Sequence, residues 1–123
     1  MQLTLITSLV AATLAGSAAA INVKYCSETA LNGNCKEVTL VNGVCQNVDL
    51  DENDQTHSAQ IDGGHCVFWA QDDCNGDHTD MRDGYIEDFH HVCKDSDNWQ
   101  KKISSFACCD TDKWCAGDNP TCT

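Results

Sequence analysis

The sequence predicts an all-β, disulfide-rich protein whose short strands pack as a β-sandwich of two Greek-key units. Apolar and polar residues alternate in short runs, which is typical of half-buried strands. The dipeptide Asn-Gly occurs three times between such runs, and it supplies the positive φ that tight hairpin turns need. The 123 residues include ten cysteines, a density typical of a disulfide scaffold.

Residues 1–20 are expected to be a secretory signal peptide. They contain no Asp, Glu, Lys, Arg or Cys, and an apolar run at 3–14 precedes small residues and an Ala triplet. The small-x-small rule places cleavage after Ala20. A membrane-spanning helix needs about 20 apolar residues, and four hydroxyl residues interrupt this shorter run. We therefore expect a secreted, extracellular protein without membrane insertion.

Export through an oxidising route lets thiols pair, so disulfides are expected rather than a zinc site. The adjacent Cys108 and Cys109 should reach different partners, because successive side chains of an extended segment point to opposite faces. The cysteines expected in disulfides are Cys26, Cys35, Cys45, Cys66, Cys74, Cys93, Cys108, Cys109, Cys115 and Cys122.

The full connectivity does not follow from the sequence, because ten cysteines allow many pairings. Two local pairs are nevertheless expected, Cys26 with Cys35 and Cys66 with Cys74. Each pair brackets a short loop, and closing a short loop costs little chain entropy.

The chain repeats itself weakly after the leader. Three pairs of segments are similar. Residues 25–33 and 68–76 each begin with an aromatic residue and end with Asn-Gly, and residues 43–48 and 84–89 each begin with Gly and end with an apolar residue. Residues 58–61 and 104–107 share only small hydroxyl and apolar residues. The first pair is offset by 43 residues and the second by 41. We expect one domain at 21–108 built of two units, about 22–64 and 65–108, with a cysteine-rich tail at 109–123. One unit alone would leave its apolar face in water, so the two should pack together.

These segments resemble the βγ-crystallin motif, an aromatic-led hairpin closed by Gly and followed later by a hydrophobic-Ser-Ser segment, here Ile103-Ser104-Ser105. Cys74 departs from the motif, because it stands where a second aromatic residue is usual. With its leader and cysteines, the chain resembles small secreted cysteine-rich proteins of fungi on this fold, which are often grouped as candidate effectors or toxin-like antimicrobials. The resemblance implies binding more readily than catalysis.

The same resemblance implies candidate calcium sites. Members of the family often bind calcium through a motif that consists of an acidic or amide pair, two variable residues and a Ser/Thr-Ser pair. In the second unit Gln100-Lys101 replaces the acidic pair before Ser104-Ser105, so that site is expected to be lost. In the first unit Asn53-Asp54 and Ser58 fit, but His57 stands where an oxygen ligand is needed. A solvated acidic turn is the simpler interpretation, and a residual site near Asp54 and Ser58 stays open.

No other motif predicts a metal, a cofactor or a catalytic site. The acidic run at 72–80 mimics a calcium loop, but His78 and Gly84 occupy positions that need Gly and Glu. No Gly-x-Ser-x-Gly elbow occurs, and Arg82 is the single arginine, so a cationic clamp for phosphate is lacking. The histidines lack ligand-like spacing, and they are His57, His65, His78, His90 and His91.

Most aromatic residues are expected in the core. The residues concerned are Tyr25, Phe68, Trp69, Tyr85, Phe89 and Phe106. Trp99 and Trp114 are flanked by polar residues near the last cysteines. They are interpreted either as a contact surface or as packing under the tail.

The charge of −12, from 19 acidic and 7 basic residues, disfavours binding to nucleic acid or to anionic lipid. We expect a monomeric, non-enzymatic, effector-like binding protein whose partner is an extracellular protein or a cell-surface molecule. An antimicrobial or killer-toxin-like protein and a secreted protease inhibitor stay open as alternatives.

Overall fold

A computed structural model describes residues 20–48, 56–92, 99–110 and 115, and within these ranges the protein is all-β, as predicted. The described ranges contain seven strands, β1 (Ile21–Cys26), β2 (Cys35–Leu40), β3 (Cys45–Asn47), β4 (Ser58–Gln71), β5 (Asn75–His78), β6 (Arg82–Ile86) and β7 (Ser105–Cys109). The helical segments are single 3₁₀ turns at Thr29–Leu31, Phe89–His91 and Trp99–Lys101. The described ranges hold no helix long and apolar enough to cross a bilayer.

The strands form one curled antiparallel sheet around β4, which takes part in two groups of strands. Residues 58–62 of β4 lie between β1 and β6, and β2 lies outside β1; we call this group the first half-sheet. Residues 65–71 of β4 pair with β7 and β5, and β3 lies outside β7; this group is the second half-sheet. The boundary expected between the two units, at residues 64 and 65, lies within β4.

β4 passes from one half-sheet to the other at Gly63 and Gly64. A Cβ atom on Gly64 would lie 2.4 Å from the carbonyl oxygen of Cys109 and about 3 Å from the Ile21 side chain. Real Cβ contacts are not this short, so a side chain here would push β4 away from β7. The missing side chain of Gly64 therefore lets the two half-sheets meet.

The main core contains buried side chains from both half-sheets. Four aromatic rings form its centre, where Tyr25 meets Phe106 edge-on at 5.4 Å and Phe68 contacts Phe106 at 5.6 Å and Phe89 at 4.9 Å. All four residues are at most 1% exposed. Edge-to-face aromatic pairs add to the free energy gained by burial, so this cluster ties the two half-sheets together.

One open alternative for an aromatic residue is settled, and one expectation is wrong. Trp99 is 2% exposed and belongs to the main core, so of its two interpretations the contact surface is excluded. Its polar sequence neighbours suggested a surface position, but a 3₁₀ turn can point one side chain inward while the next remain near solvent. Tyr85, expected in the core with the other strand aromatics, is 50% exposed. Trp114 lies outside the described residues.

A second apolar cluster lies on the opposite face of the second half-sheet. Its buried members are Val67, Trp69 and Ala107, and Cys74 and Cys115 pack against them. Alternation along β4 and β7 sends these side chains away from the main core, as the pleat of a strand requires. The second half-sheet is thus covered on both faces.

The structure shows four disulfides among the described cysteines, all of which are paired. Cys26 pairs with Cys35, as predicted. Cys109 pairs with Cys115, whereas Cys108 has a different partner, which confirms that the two neighbours diverge. Cys93 and Cys122 lie outside the described residues.

The predicted pair of Cys66 with Cys74 is wrong. Cys66 pairs with Cys108, 42 residues away, and Cys74 pairs with Cys45, 29 residues away. Cys66 faces the main core and lies directly opposite Cys108 in the register of β4 and β7. Cys74 packs on the other face of the same strands, so the sheet itself separates the two sulfurs.

Candidate binding surface

Two hairpins are each folded over a buried serine. The Ser58 hydroxyl donates to the Glu28 carbonyl at 2.6 Å and accepts from the Leu31 amide at 2.9 Å. Ser105 does the same in the β4–β5 hairpin, where its hydroxyl donates to the Gln71 carbonyl at 2.6 Å and accepts from the Cys74 amide at 2.9 Å. Both serines are 0% exposed. We call these arrangements the Ser58 clamp and the Ser105 clamp.

The backbones of the two hairpins also match. Ala30 and Leu31 have φ of 55° and 58°, and Asp73 and Cys74, 43 positions later, have φ of 60° and 56°. Positive φ is uncommon for residues other than Gly, so two such pairs at the same offset are a specific similarity. The offset equals the one that relates residues 25–33 and 68–76 in the sequence.

Each half-sheet also receives a segment from the other half of the chain. The Val48 amide donates to the Ser104 carbonyl at 2.8 Å, and the Phe89 amide donates to the His57 carbonyl at 2.8 Å. Val48 and Phe89 are 41 residues apart, the offset of the second pair of similar segments. His57 and Ser104 each immediately precede a clamp serine.

The Ser58 clamp involves one residue of the segment in which the sequence leaves a residual calcium site open, near Asp54 and Ser58. Asn53 and Asp54 lie outside the described residues. The Ser58 hydroxyl has its proton committed to the Glu28 carbonyl and is sealed from solvent, so its hydrogen bonds hold the hairpin. In the second unit the Ser104 hydroxyl likewise donates to a backbone carbonyl, that of Ala70, at 3.0 Å.

The acidic run at 72–80 covers the β4–β5 turn, β5 and the two residues after β5, and its side chains contact different partners. Asp73 exchanges two hydrogen bonds with the Asn47 side chain, at 2.8 and 3.1 Å. Thr79 is buried, and its hydroxyl donates to the Asp80 carbonyl at 2.8 Å. The Asp80 carboxylate pairs with Arg82 at 2.7 Å. The described side chains of this run therefore stabilise the turn and its surroundings.

Among the residues described, no three His, Cys, Asp or Glu side chains come together as a metal site would require. His65 and His78 are each 7% exposed. The His78 ring lies 5.6 Å from the Trp69 ring, and its Nδ1 is 2.9 Å from the Thr79 carbonyl oxygen. His78 therefore packs against the second half-sheet.

The outward side of the first half-sheet is polar, and we call it the open face. It is formed by Asn22, Lys24, Glu37, Thr39, Gln60 and Asp62, which border a hollow of about 380 Å³. Their neighbours Val23 and Ile61 point the other way, into the main core. The face follows from the alternation of polar and apolar residues along β1, β2 and β4.

Strand register places four side chains of the open face in a row. Glu37 lies opposite Lys24 in the β1–β2 pair, Lys24 opposite Gln60 in the β1–β4 pair, and Gln60 opposite Tyr85 in the β4–β6 pair. Residues directly opposite in a sheet share a face and lie within side-chain reach. The row therefore runs from a carboxylate, through an ammonium and an amide, to an exposed aromatic ring.

Two hydrogen bonds orient further side chains on the open face. The Thr39 hydroxyl donates to Asn22 Oδ1 at 2.8 Å, and the Gln60 amide donates to Asp62 Oδ1 at 3.2 Å. These bonds leave the Asn22 amide N–H groups and the Gln60 carbonyl oxygen available to a ligand. The face thus presents oriented donors and acceptors to solvent.

The corresponding place in the second half-sheet has a different chemistry. Val67 stands 43 positions after Lys24, and Ala107 follows Ser105 by two residues as Gln60 follows Ser58. Val67 and Ala107 are buried, and Cys115 packs against their cluster. One half-sheet is therefore apolar and covered where the other is polar and open.

The turn at 41–44 is a second exposed feature, outside the open face. Val41 and Val44 are each 46% exposed. The Gly43 amide donates to the Cys108 carbonyl at 2.9 Å, and the Asn42 side chain bonds Asp110 at 2.7 and 2.8 Å. The turn is thus anchored to the end of β7 and holds two apolar side chains toward solvent.

The open face was not identified from the sequence, although its residues lie in the alternating runs that predicted strands. Its pattern is visible only as every second residue of three separate segments. Which segments are neighbours, and in which register, depends on pairing between distant strands.

Comparison with protein-family models and with curated proteins finds no match to this chain.

Proposed function

We propose that this protein is a secreted, non-enzymatic, effector-like binding protein that acts outside the cell through the open face. The observation that carries the proposal is that face, a polar hollow on a sheet whose other side is packed into the main core. A rigid surface with oriented polar groups loses little conformational entropy on binding, which favours affinity.

The proposed frame is a βγ-crystallin-like pair of Greek-key units. The matched Ser58 and Ser105 clamps support two equivalent units, because the same two hydrogen bonds recur around both serines. Exchange of segments supports the Greek-key connection, since β3 pairs with β7 and β6 pairs with the first part of β4.

An extracellular location is supported by the sulfur chemistry and by the start of β1. Disulfides persist in oxidising compartments, and the described cysteines are all in disulfides. The expected cleavage after Ala20 would leave Ile21 as the first residue, and Ile21 is 0% exposed at the start of β1. Cleavage there would remove the leader without taking any residue from the strand.

Secretion is tested by expressing the full chain in a yeast host and measuring the intact mass of the protein in the medium. We expect a chain that begins at Ile21 and is ten hydrogens lighter than its reduced form, because ten cysteines are oxidised. Retention in the cell, or an uncleaved leader, would contradict the proposal.

Binding is tested with the same oxidised protein, labelled with a fluorophore, on intact plant, fungal and bacterial cells. We expect saturable binding to one cell type, which reduction and alkylation of the cysteines abolish because they release the rigid frame. Turnover of a nuclease, glycosidase or esterase substrate by the purified protein would overturn the non-enzymatic part of the proposal.

A protease inhibitor is a second candidate, favoured by the anchored turn at 41–44. Exposed apolar side chains on a preorganised turn suit the pocket of a protease that prefers small apolar residues. Inhibition of such a protease, lost in Val44→Asp and kept in Gln46→Ala, would support it. Absence of inhibition across serine, cysteine, aspartic and metalloproteases would exclude it.

A further inference from the structure

We infer that the open face is a binding site for an uncharged, hydroxyl-rich oligosaccharide. The inference rests on the proposed function, because it names the ligand class of the same surface. It is carried by the shape of the hollow, the polar groups that border it, the exposed ring of Tyr85 and the charge of the protein.

The hollow has the size and the lining of a small-ligand site. Its volume of about 380 Å³ falls within the range of about 300–1,000 Å³ that such sites occupy. Leu31, held in place by the Ser58 clamp, also borders the hollow. Polar groups on an apolar background are the usual composition of a ligand site.

The backbone of β1, the middle of the three strands that border the hollow, offers a ligand no hydrogen bonds. β1 lies between β2 and β4, so both of its edges are paired. A peptide therefore cannot add a strand alongside β1. Recognition above β1 has to use side chains, and here these are two amides, a hydroxyl, two carboxylates and one ammonium.

That set of side chains suits alcohol groups. A hydroxyl both donates and accepts, whereas carboxylates only accept and an ammonium only donates. Asn22 and Gln60 can each donate and accept through one amide group. A ligand with closely spaced hydroxyls can satisfy all these groups at once, as a sugar ring does.

Tyr85 adds a stacking surface at the end of the row. It is 50% exposed and lies opposite Gln60 on β6. Exposed aromatic side chains combine an apolar ring with a polar tip and are enriched at binding surfaces. The C–H face of a sugar can lie on the ring while its hydroxyls reach Gln60 and Lys24.

The negative charge of the open face and of the whole chain restricts the class of saccharide that can bind. Glu37 and Asp62 outnumber Lys24 on the open face, and the whole chain carries −12. Phosphate, sulfate and uronic acid groups would be repelled by this field. The proposal therefore commits to an uncharged saccharide.

The second half-sheet shows that the fold does not require an open polar hollow. At the equivalent place Val67 and Ala107 are buried, and Cys115 packs against their cluster. The same architecture can thus close this position with apolar side chains. The polar, accessible hollow is therefore particular to the first half-sheet.

The test uses the fully oxidised protein labelled with ¹⁵N and a set of uncharged oligosaccharides of glucose, galactose, mannose and N-acetylglucosamine. We expect one of them to shift the amide signals of Lys24, Gln60 and Tyr85 in a saturable way. Tyr85→Ala should weaken binding about ten-fold, the size expected for loss of an aromatic contact, and Gln60→Ala should weaken it several-fold. Gln46→Ala, which changes a polar side chain away from the open face, should leave it within about two-fold.

Three results would overturn the inference, provided that each variant keeps the melting temperature and disulfides of the parent. They are absence of saturable shifts with every uncharged saccharide at about 10 mM, where even a millimolar Kd would be seen; equal binding by Tyr85→Ala and the parent; and preference of the open face for a charged saccharide or a peptide. If the protein binds cells whose glycans have been enzymatically removed, and Tyr85→Ala binds them equally, the inference fails while the proposed extracellular binding role stands.

Discussion

Replacement of Ser58 by Ala tests how much the first clamp stabilises the protein. The substitution leaves the Leu31 N–H and the Glu28 carbonyl without their partner. Leaving a buried polar group unsatisfied costs about 1–3 kcal/mol, and both backbone groups are only partly buried, so we expect a total loss of about 2–3 kcal/mol. For a domain of this size 1 kcal/mol corresponds to about 4–8 °C, and the melting temperature should fall by roughly 10–20 °C.

The measurement is thermal unfolding of the oxidised protein, followed by circular dichroism, with Ser27→Ala as the matched control. Ser27 lies in the same hairpin, and its hydroxyl accepts from the Asn34 amide at 2.9 Å. That bond is exposed, so water can replace it and the cost should stay below about 0.5 kcal/mol. Ser105→Ala should cost about as much as Ser58→Ala. Equal melting temperatures for Ser58→Ala and Ser27→Ala would refute the energetic importance of the clamp.

Three further substitutions test the packing of the core, the charge beside Asp110 and the close approach of β4 to β7. Trp99→Ala should lower the free energy of unfolding by about 3–5 kcal/mol, measured by urea denaturation, and a loss below about 1 kcal/mol would mean that the ring is not in the core. Asn42→Asp places a second carboxylate against Asp110, where the amide now lies 2.7 Å away. The variant should therefore be less stable than the parent at pH 7 and approach it below about pH 4, where carboxylates take up protons; a stability difference that does not depend on pH would contradict this. Gly64→Ala should destabilise more than Gly43→Ala. Gly43 has φ of 75° and nothing within 4 Å, so Ala there meets only backbone strain, of about 1–2 kcal/mol, whereas a Cβ on Gly64 would meet a carbonyl oxygen at 2.4 Å; the reverse order of melting temperatures would refute the close approach.

Local patterns in the sequence predicted the fold class well. The alternation of Val23 and Tyr25 with Asn22 and Lys24 marks β1, and the structure buries the first two while leaving the other two on the outer side. The Cys26–Cys35 pair was also predictable, because its short loop closes within one hairpin. These features depend on interactions between residues close in the chain.

Features that depend on distant pairing could not be predicted. The partner of Cys66 is set by the register of β4 against β7, and nothing near Cys66 in the sequence specifies that register. The burial of Trp99 depends on apolar side chains that come from other parts of the chain. The open face likewise requires that β2, β1, β4 and β6 be neighbours, which local alternation does not reveal.

β4 pairs with strands that are synthesised before it and with strands that are synthesised after it. This arrangement affects the order in which the disulfides can form. During synthesis Cys26 meets its partner after nine residues, whereas Cys66 has to wait for a cysteine 42 residues further on. Until β7 emerges, the second part of β4 lacks that neighbour, and unpaired strand edges readily form wrong contacts. The Cys66 thiol is meanwhile close in sequence to Cys74, a partner it must not keep. β7, the last of the described strands to leave the ribosome, therefore carries the cysteine that Cys66 needs, and a chain that ended before β7 would lack that partner.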